Sequence, residues 1–196
     1  MKKFLSILLF ACLVGALFAC NQSVQVSTKL YGTDINGAEF AGDFDLFDHH
    51  GEERHLKDYQ GKVVVLFFGY THCPDVCPTA MMDMAKMMKV LGDDANQVQV
   101  LFVTLDPERD TQEVLAKYVP GFDSRFVGLY GSVKQIEETA KKYKVFYEKK
   151  DLAGRSGYTI DHSAGAYVFD KNGKVKIYFK SGQKPNEMES DLKQLF

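Results

Sequence analysis

Cys73 and Cys77 stand in the segment Phe68-Gly69-Tyr70-Thr71-His72-Cys73-Pro74-Asp75-Val76-Cys77-Pro78, with three residues between them. Sulfur is both a strong nucleophile and a soft metal donor, and both uses need the thiolate. An apolar run precedes the pair, and Pro78 follows it. Proline is favoured in the first turn of a helix, where its missing N–H would have no partner anyway. That order predicts a strand, a loop and a helix start, with Cys77 near the N-cap, where the helix dipole lowers a thiol's pKa. Two such sulfurs can close a disulfide or act as two arms of a chelate. A purely structural bridge makes poor use of so short a loop, because it removes little entropy from the unfolded chain. Structural zinc wants four ligands, and no second cysteine pair exists in the domain. Two sulfurs and one imidazole suit Cu(I), a soft ion that prefers soft donors.

Five histidines are candidates for the third donor. His49 and His50 fall in a predicted turn and His55 in the charged stretch behind it, so solvated surface positions are expected there. His72 adjoins Cys73, but its side chain need not face the same point. His162 lies in Tyr158-Thr159-Ile160-Asp161-His162-Ser163-Ala164-Gly165, read as a loop ahead of the penultimate strand. Asp161 either orients the His162 ring or caps that loop. Five methionines follow Cys77 on one helix; Met81, Met84 and Met88 with Leu91 keep the spacing of a core stripe. Met82 and Met87 fall off it and are assigned no ligand role.

Elements that position these residues alternate along the chain. The run Lys62 to Phe68 reads as a strand buried on both faces, followed by a helix from Pro78 to about Leu91. Val98 to Thr104 is a second buried strand, and Asp110-Thr111-Gln112-Glu113 opens a helix to about Val119. Phe126 to Tyr130, a helix from Ser132 to about Lys144, and an extended piece from Val145 to Tyr147 follow. Such alternation argues for crossover units and a mainly parallel sheet covered on both faces. Ahead of it, Phe40 to Phe47 alternates as a half-buried strand. Behind it, Ala166–Phe169 and Val175–Phe179 form a hairpin around Asn172-Gly173, and a last helix starts at Pro185. A thioredoxin-like α/β fold is the leading expectation: a central mixed sheet flanked by helices, with an N-terminal strand or hairpin extension. In that fold the loop of His162 faces the cysteine helix. A flavodoxin-like open sheet is the competitor, disfavoured because no Gly-rich phosphate loop follows any strand.

The chain's 196 residues fit one compact domain, and 24 Lys plus Arg against 26 Asp plus Glu leave no basic excess for a nucleic acid partner. Lys2 and Lys3, the apolar run behind them and Leu17-Phe18-Ala19-Cys20 read as a secretory signal over residues 1–19. The ending resembles a bacterial lipobox, with Cys20 lipidated as the first mature residue. Residues 20–38 then form a polar tether and 39–196 the folded domain, outside the cytoplasm and anchored to a membrane.

Three segments together resemble the Sco/SenC family: Phe67 to Pro78, Leu105-Asp106-Pro107-Glu108-Arg109-Asp110-Thr111, and Asp161-His162-Ser163-Ala164-Gly165. With Phe126-Val127-Gly128-Leu129, the likeness covers most of residues 40–196. It implies a thioredoxin-like domain whose Cys73, Cys77 and His162 bind copper, and a role in maturing the binuclear copper centre of cytochrome c oxidase. The partners implied are the oxidase's copper-bearing subunit, another copper chaperone or a thiol reductant, and the membrane through the lipid. The same thiols fit a thiol:disulfide reductase acting on the acceptor's cysteines, as a redox pair. A peroxidase fits less well, since Thr71 stands two residues before Cys73 where peroxiredoxins place a Thr three before.

Overall fold

A computed structural model describes residues 29–40, 42–153 and 157–196. The expected signal over residues 1–19 and the expected lipidation at Cys20 lie outside these. No helix among the described residues is long and apolar enough to cross a membrane.

The core is built on β4 (Val63–Gly69), every residue of which is buried. Side chains of a strand alternate between faces, so Val63, Val65 and Phe67 enter one apolar layer while Val64, Leu66 and Phe68 enter the other. Parallel to β4 lies β5 (Val98–Thr104), with Phe67 opposite Phe102, and parallel to β5 lies β6 (Val127–Tyr130). On the other side β9 (Ala166–Phe169) and β10 (Val175–Phe179) add antiparallel strands, joined by a turn with Gly173 at φ 74°. Two short pieces, β1 (Thr33–Asp34) and the hairpin of β2 (Leu46–Asp48) and β3 (Glu53–Arg54), complete an eight-stranded sheet of order β1-β10-β9-β4-β5-β6-β2-β3.

Helices α1 (Val76–Leu91), α2 (Gln112–Tyr118) and α4 (Pro185–Lys193) cover the first layer, and α3 (Val133–Lys142) covers the second. The mixed sheet between helices is the thioredoxin-like arrangement that the alternation of elements predicts. A second sheet of two strands, β7 (Tyr147–Asp151) and β8 (Tyr158–His162), stands beside it.

Several boundaries move. Helix α1 begins at Val76 behind an N-cap at Asp75, so Pro78 occupies the third helical position and Cys77 the second. Thr111, not Asp110, caps α2, its hydroxyl accepting from the Val114 N–H. The expected strand from Phe40 shrinks to Leu46–Asp48, because Asp43 Oδ1 takes the N–H groups of Phe44 and Leu56 at 3.0 and 2.6 Å, bonds that a ladder would otherwise supply. The tether expected over 20–38 merges into the fold from Leu30. Buried Asp191 accepts from the Tyr31 and Gly32 N–H groups at 2.9 and 2.8 Å, and β1 pairs with β10. Little apolar periodicity marks that stretch, since only scattered apolar residues, Leu30, Ile35 and Ala38, pack on the core and hydrogen bonds of the backbone do the rest.

Met87 is fully buried with the rest of the stripe, while Met82 is exposed. His49 also leaves the expected surface: it is 6% exposed, and its Nδ1 accepts from the Gly128 N–H at 2.9 Å. Burial lowers its pKa below the ordinary 6.5, and the neighbouring His50 pushes the same way. The unfolded chain therefore takes up a proton that the folded one refuses. Stability is fully present above about pH 6.5 and falls as the pH drops below it. Denaturant midpoints from neutral pH down to about pH 5 are expected to decline less steeply in His49→Gln. Parallel slopes in the two proteins would assign the acid sensitivity elsewhere.

Candidate metal centre

Strand β4 ends at Gly69, and the chain turns through Tyr70 to Pro74 before α1. A Cβ on Gly69 would sit 3.0 Å from Cys77 Sγ and 2.9 Å from the Phe67 ring, so only glycine lets the cysteine pack onto the strand end. Cys77 is completely buried and Cys73 is 8% exposed; both are free thiols. The Cys77 N–H, one of the unpaired donors of the helix's first turn, points at Cys73 Sγ from 3.4 Å. Cys73 is thus the sulfur that sits on the helix start.

His162 closes the triangle from β8. Its Nε2 lies 3.3 Å from Cys77 Sγ, and the two sulfurs and this nitrogen all fall within 4.8 Å of one another. His162 Nδ1 stands 2.9 Å from the Ser163 carbonyl, which only accepts, so Nδ1 carries the proton and Nε2 turns its lone pair to the sulfur. Asp161 is exposed and makes no bond to the ring; the neighbouring carbonyl orients it instead. The residue sits at the end of a strand, where a loop is expected from sequence. Gly165 lets the chain behind it pass close to β10, since a Cβ there would lie 2.2 Å from the Tyr178 ring and 2.5 Å from the Phe179 carbonyl.

The electrostatics differ from the sequence expectation at one sulfur. Burial pushes the Cys77 thiol well above its ordinary value, with the Cys73 sulfur adding to the effect, although the Tyr70 N–H works the other way. Desolvation outweighs the helix start, and Cys77 rests as a thiol, whose proton has to leave before the sulfur can ligate a metal. Burial also lowers the His162 pKa, which keeps Nε2 free as a donor.

The hairpin that carries His162 is fixed by residues that spacing alone does not reveal. Buried Tyr70 places its hydroxyl 2.8 Å from Thr159 Oγ1 and accepts from the Ile160 N–H at 3.3 Å. Arg109 donates to the Tyr158 carbonyl at 3.0 Å, its guanidinium 3.7 Å from the Tyr158 ring centre, and pairs with buried Asp106. Tyr158 OH donates to Asp106 at 2.6 Å. The other histidines stay apart: His72 is exposed and faces Asp110 at 3.7 Å, and His50 and His55 belong to the β2–β3 hairpin.

The fold agrees with one group of known proteins. Residues 32–196 match the SCO1/SenC family. The chain belongs to that family. A SCO2-like protein of Rickettsia felis is 34% identical over 185 residues, covering 92% of this chain and 90% of the relative. Among solved structures, ScoI of Bradyrhizobium japonicum with copper bound is 36% identical at a TM-score of 0.74, covering 80% of this chain and 99% of that one. A SCO1/SenC family lipoprotein from Bacillus anthracis is 26% identical at a TM-score of 0.71, covering 85% and 99%. This SCO1/SenC chain thus joins a thioredoxin-like sheet to a thiol pair and an imidazole.

Proposed function

We propose that this protein is a membrane-tethered copper metallochaperone, holding copper on Cys73, Cys77 and His162 and passing it to the binuclear copper centre of cytochrome c oxidase. The convergence of two sulfurs and one imidazole nitrogen within 4.8 Å carries this reading. The donor set fits the cargo: soft sulfur for Cu(I), and an imidazole that also serves Cu(II). The copper-bound ScoI and the B. anthracis lipoprotein support copper as the cargo and a lipid on Cys20 as the anchor. Transfer proceeds by ligand exchange, each donor of the acceptor replacing one of the three here.

A reductase reading rests on the same free thiols. Cys73, the more exposed sulfur, attacks an acceptor disulfide, Cys77 resolves the mixed disulfide, and two electrons pass to the acceptor's sulfurs. Titration with Cu(I) against a chromophoric chelator, followed by mixing with the oxidase's copper-bearing domain, tests both. Reduced protein is expected to take up a single copper ion and deliver it, and protein oxidised to the Cys73–Cys77 disulfide to take up none. Failure of the reduced protein to bind would sink the chaperone reading. A rise in acceptor thiols with no copper delivered would establish the reductase in its place.

A further inference from the structure

The β2–β3 hairpin brings a second group of metal donors together at the opposite end of the sheet order from β9 and β10. Leu46 pairs with Arg54 and Phe47 with Glu53. Extending that register sets Asp45 across from His55, and Glu53 lies two residues before His55, so all three share one face. Their donor atoms lie within 4.8 Å of one another.

The His55 ring shows what this face lacks. Its Nδ1 is 3.0 Å from the Phe44 carbonyl, an acceptor outside the group, so Nδ1 carries the proton. His55 Nε2 then points a lone pair at Glu53 Oε1, another acceptor, 3.3 Å away. Two acceptors at that separation repel unless a positive charge joins them, either a second ring proton or a metal ion. Metal-binding histidines are oriented in this way, one ring N–H held by a backbone carbonyl and the other nitrogen left to the metal; here that nitrogen faces the carboxylates that would share the ion.

We propose that Asp45, Glu53 and His55 form a surface site for a divalent first-row cation, distinct from the cysteine centre. An imidazole beside carboxylates suits Zn2+ and Cu2+ rather than Mg2+ or Ca2+, which prefer oxygen alone. Cu2+ binds tighter than Zn2+ to such donors, and water completes the coordination of the partly exposed group. The two sites sort metals by softness: thiolates select Cu(I), while this hairpin takes the harder divalent ions.

The test uses full-length protein in which Cys73→Ser, Cys77→Ser and His162→Ala silence the other centre. It is titrated by calorimetry with Zn2+ and with Cu2+ as chloride salts at neutral pH, and the Cu2+ sample is read by electron paramagnetic resonance. A single ion of either metal is expected to bind, Cu2+ the tighter, with nitrogen coupling from one imidazole. Glu53→Gln and Asp45→Asn are each expected to weaken it about tenfold or more, and His55→Ala to abolish both the binding and the nitrogen signal. Absence of binding in the silenced protein would overturn the proposal, identifying the contact as an ion pair of protonated His55 with Glu53. Binding untouched by all three substitutions would overturn it equally. Asp45 and Glu53 are exposed, so their variants decide the matter even where His55→Ala disturbs the hairpin.

Discussion

Cys77→Ser is expected to lower Cu(I) affinity about a thousandfold, some 4 kcal/mol, whereas His162→Ala lowers it only about ten- to a hundredfold. The asymmetry follows from softness. Cu(I) is satisfied by two thiolates, and a serine hydroxyl neither ionises at neutral pH nor offers a soft lone pair. The imidazole adds a third, weaker bond to an ion already held. For Cu(II), a borderline ion that favours nitrogen, the order narrows and His162→Ala becomes far more damaging. Chelator competition measures the Cu(I) affinities, and the sulfur-to-copper charge-transfer band follows Cu(II). Cys73→Ser should resemble Cys77→Ser in the Cu(I) assay, even though Cys73 accepts the Cys77 N–H and Cys77 is buried against Gly69. A Cu(I) affinity that suffers more from losing the imidazole than from losing either sulfur would refute this ligand hierarchy.

Much of this arrangement was legible from the sequence, and where it was not the reasons are physical. The β4 run and the Val98–Thr104 strand announce themselves because a strand covered on both faces is apolar at successive positions, not at alternate ones. Ser132 and Gln135 cap α3 as their types and spacing predict. The β7–β8 hairpin was not legible. Its β7 strand is mostly exposed and charged, so no apolar alternation marks it, and its hold on the domain comes from Ile160 of β8, buried in the first apolar layer, together with hydrogen bonds of Tyr70 and Arg109. The buried state of His49 was hidden for a similar reason, because it depends on Gly128 of a distant strand, which donates its N–H to the ring and accepts the His49 N–H. At Cys77 the residue type and its place at a helix start were both readable. The depth of burial that reverses the expected thiol shift depends on tertiary packing, which spacing does not encode.

Asp110 joins the cysteine loop to the rest of the sheet, and removing it carries the largest expected cost in stability. The side chain is fully buried and accepts three hydrogen bonds: from the Thr71 N–H at 2.9 Å, the Thr71 hydroxyl at 2.6 Å and the Thr104 hydroxyl at 2.7 Å. Thr71 lies two residues before Cys73, and Thr104 ends β5, so one carboxyl group pins both sides of the corner that presents the sulfurs. Asp110→Ala strips all three donors of their acceptor inside the protein. A loss of about 3 kcal/mol is expected from unpaired buried polar groups, which in a domain of this size lowers the melting temperature by roughly 10 °C. Asp110→Asn keeps one accepting oxygen for the Thr71 N–H and Thr104, and its NH2 donates to the Thr71 hydroxyl once that group rotates. It should retain more than half of the stability. Copper binding follows the same order, because a Thr71 no longer held lets Cys73 wander from the geometry of the chelate. Thermal melts of the copper-free variants separate packing from metal stabilisation, and Cu(I) competition on the same samples reads the site. Equal losses in the Ala and Asn variants would show that charge, not the number of accepted bonds, holds this corner in place.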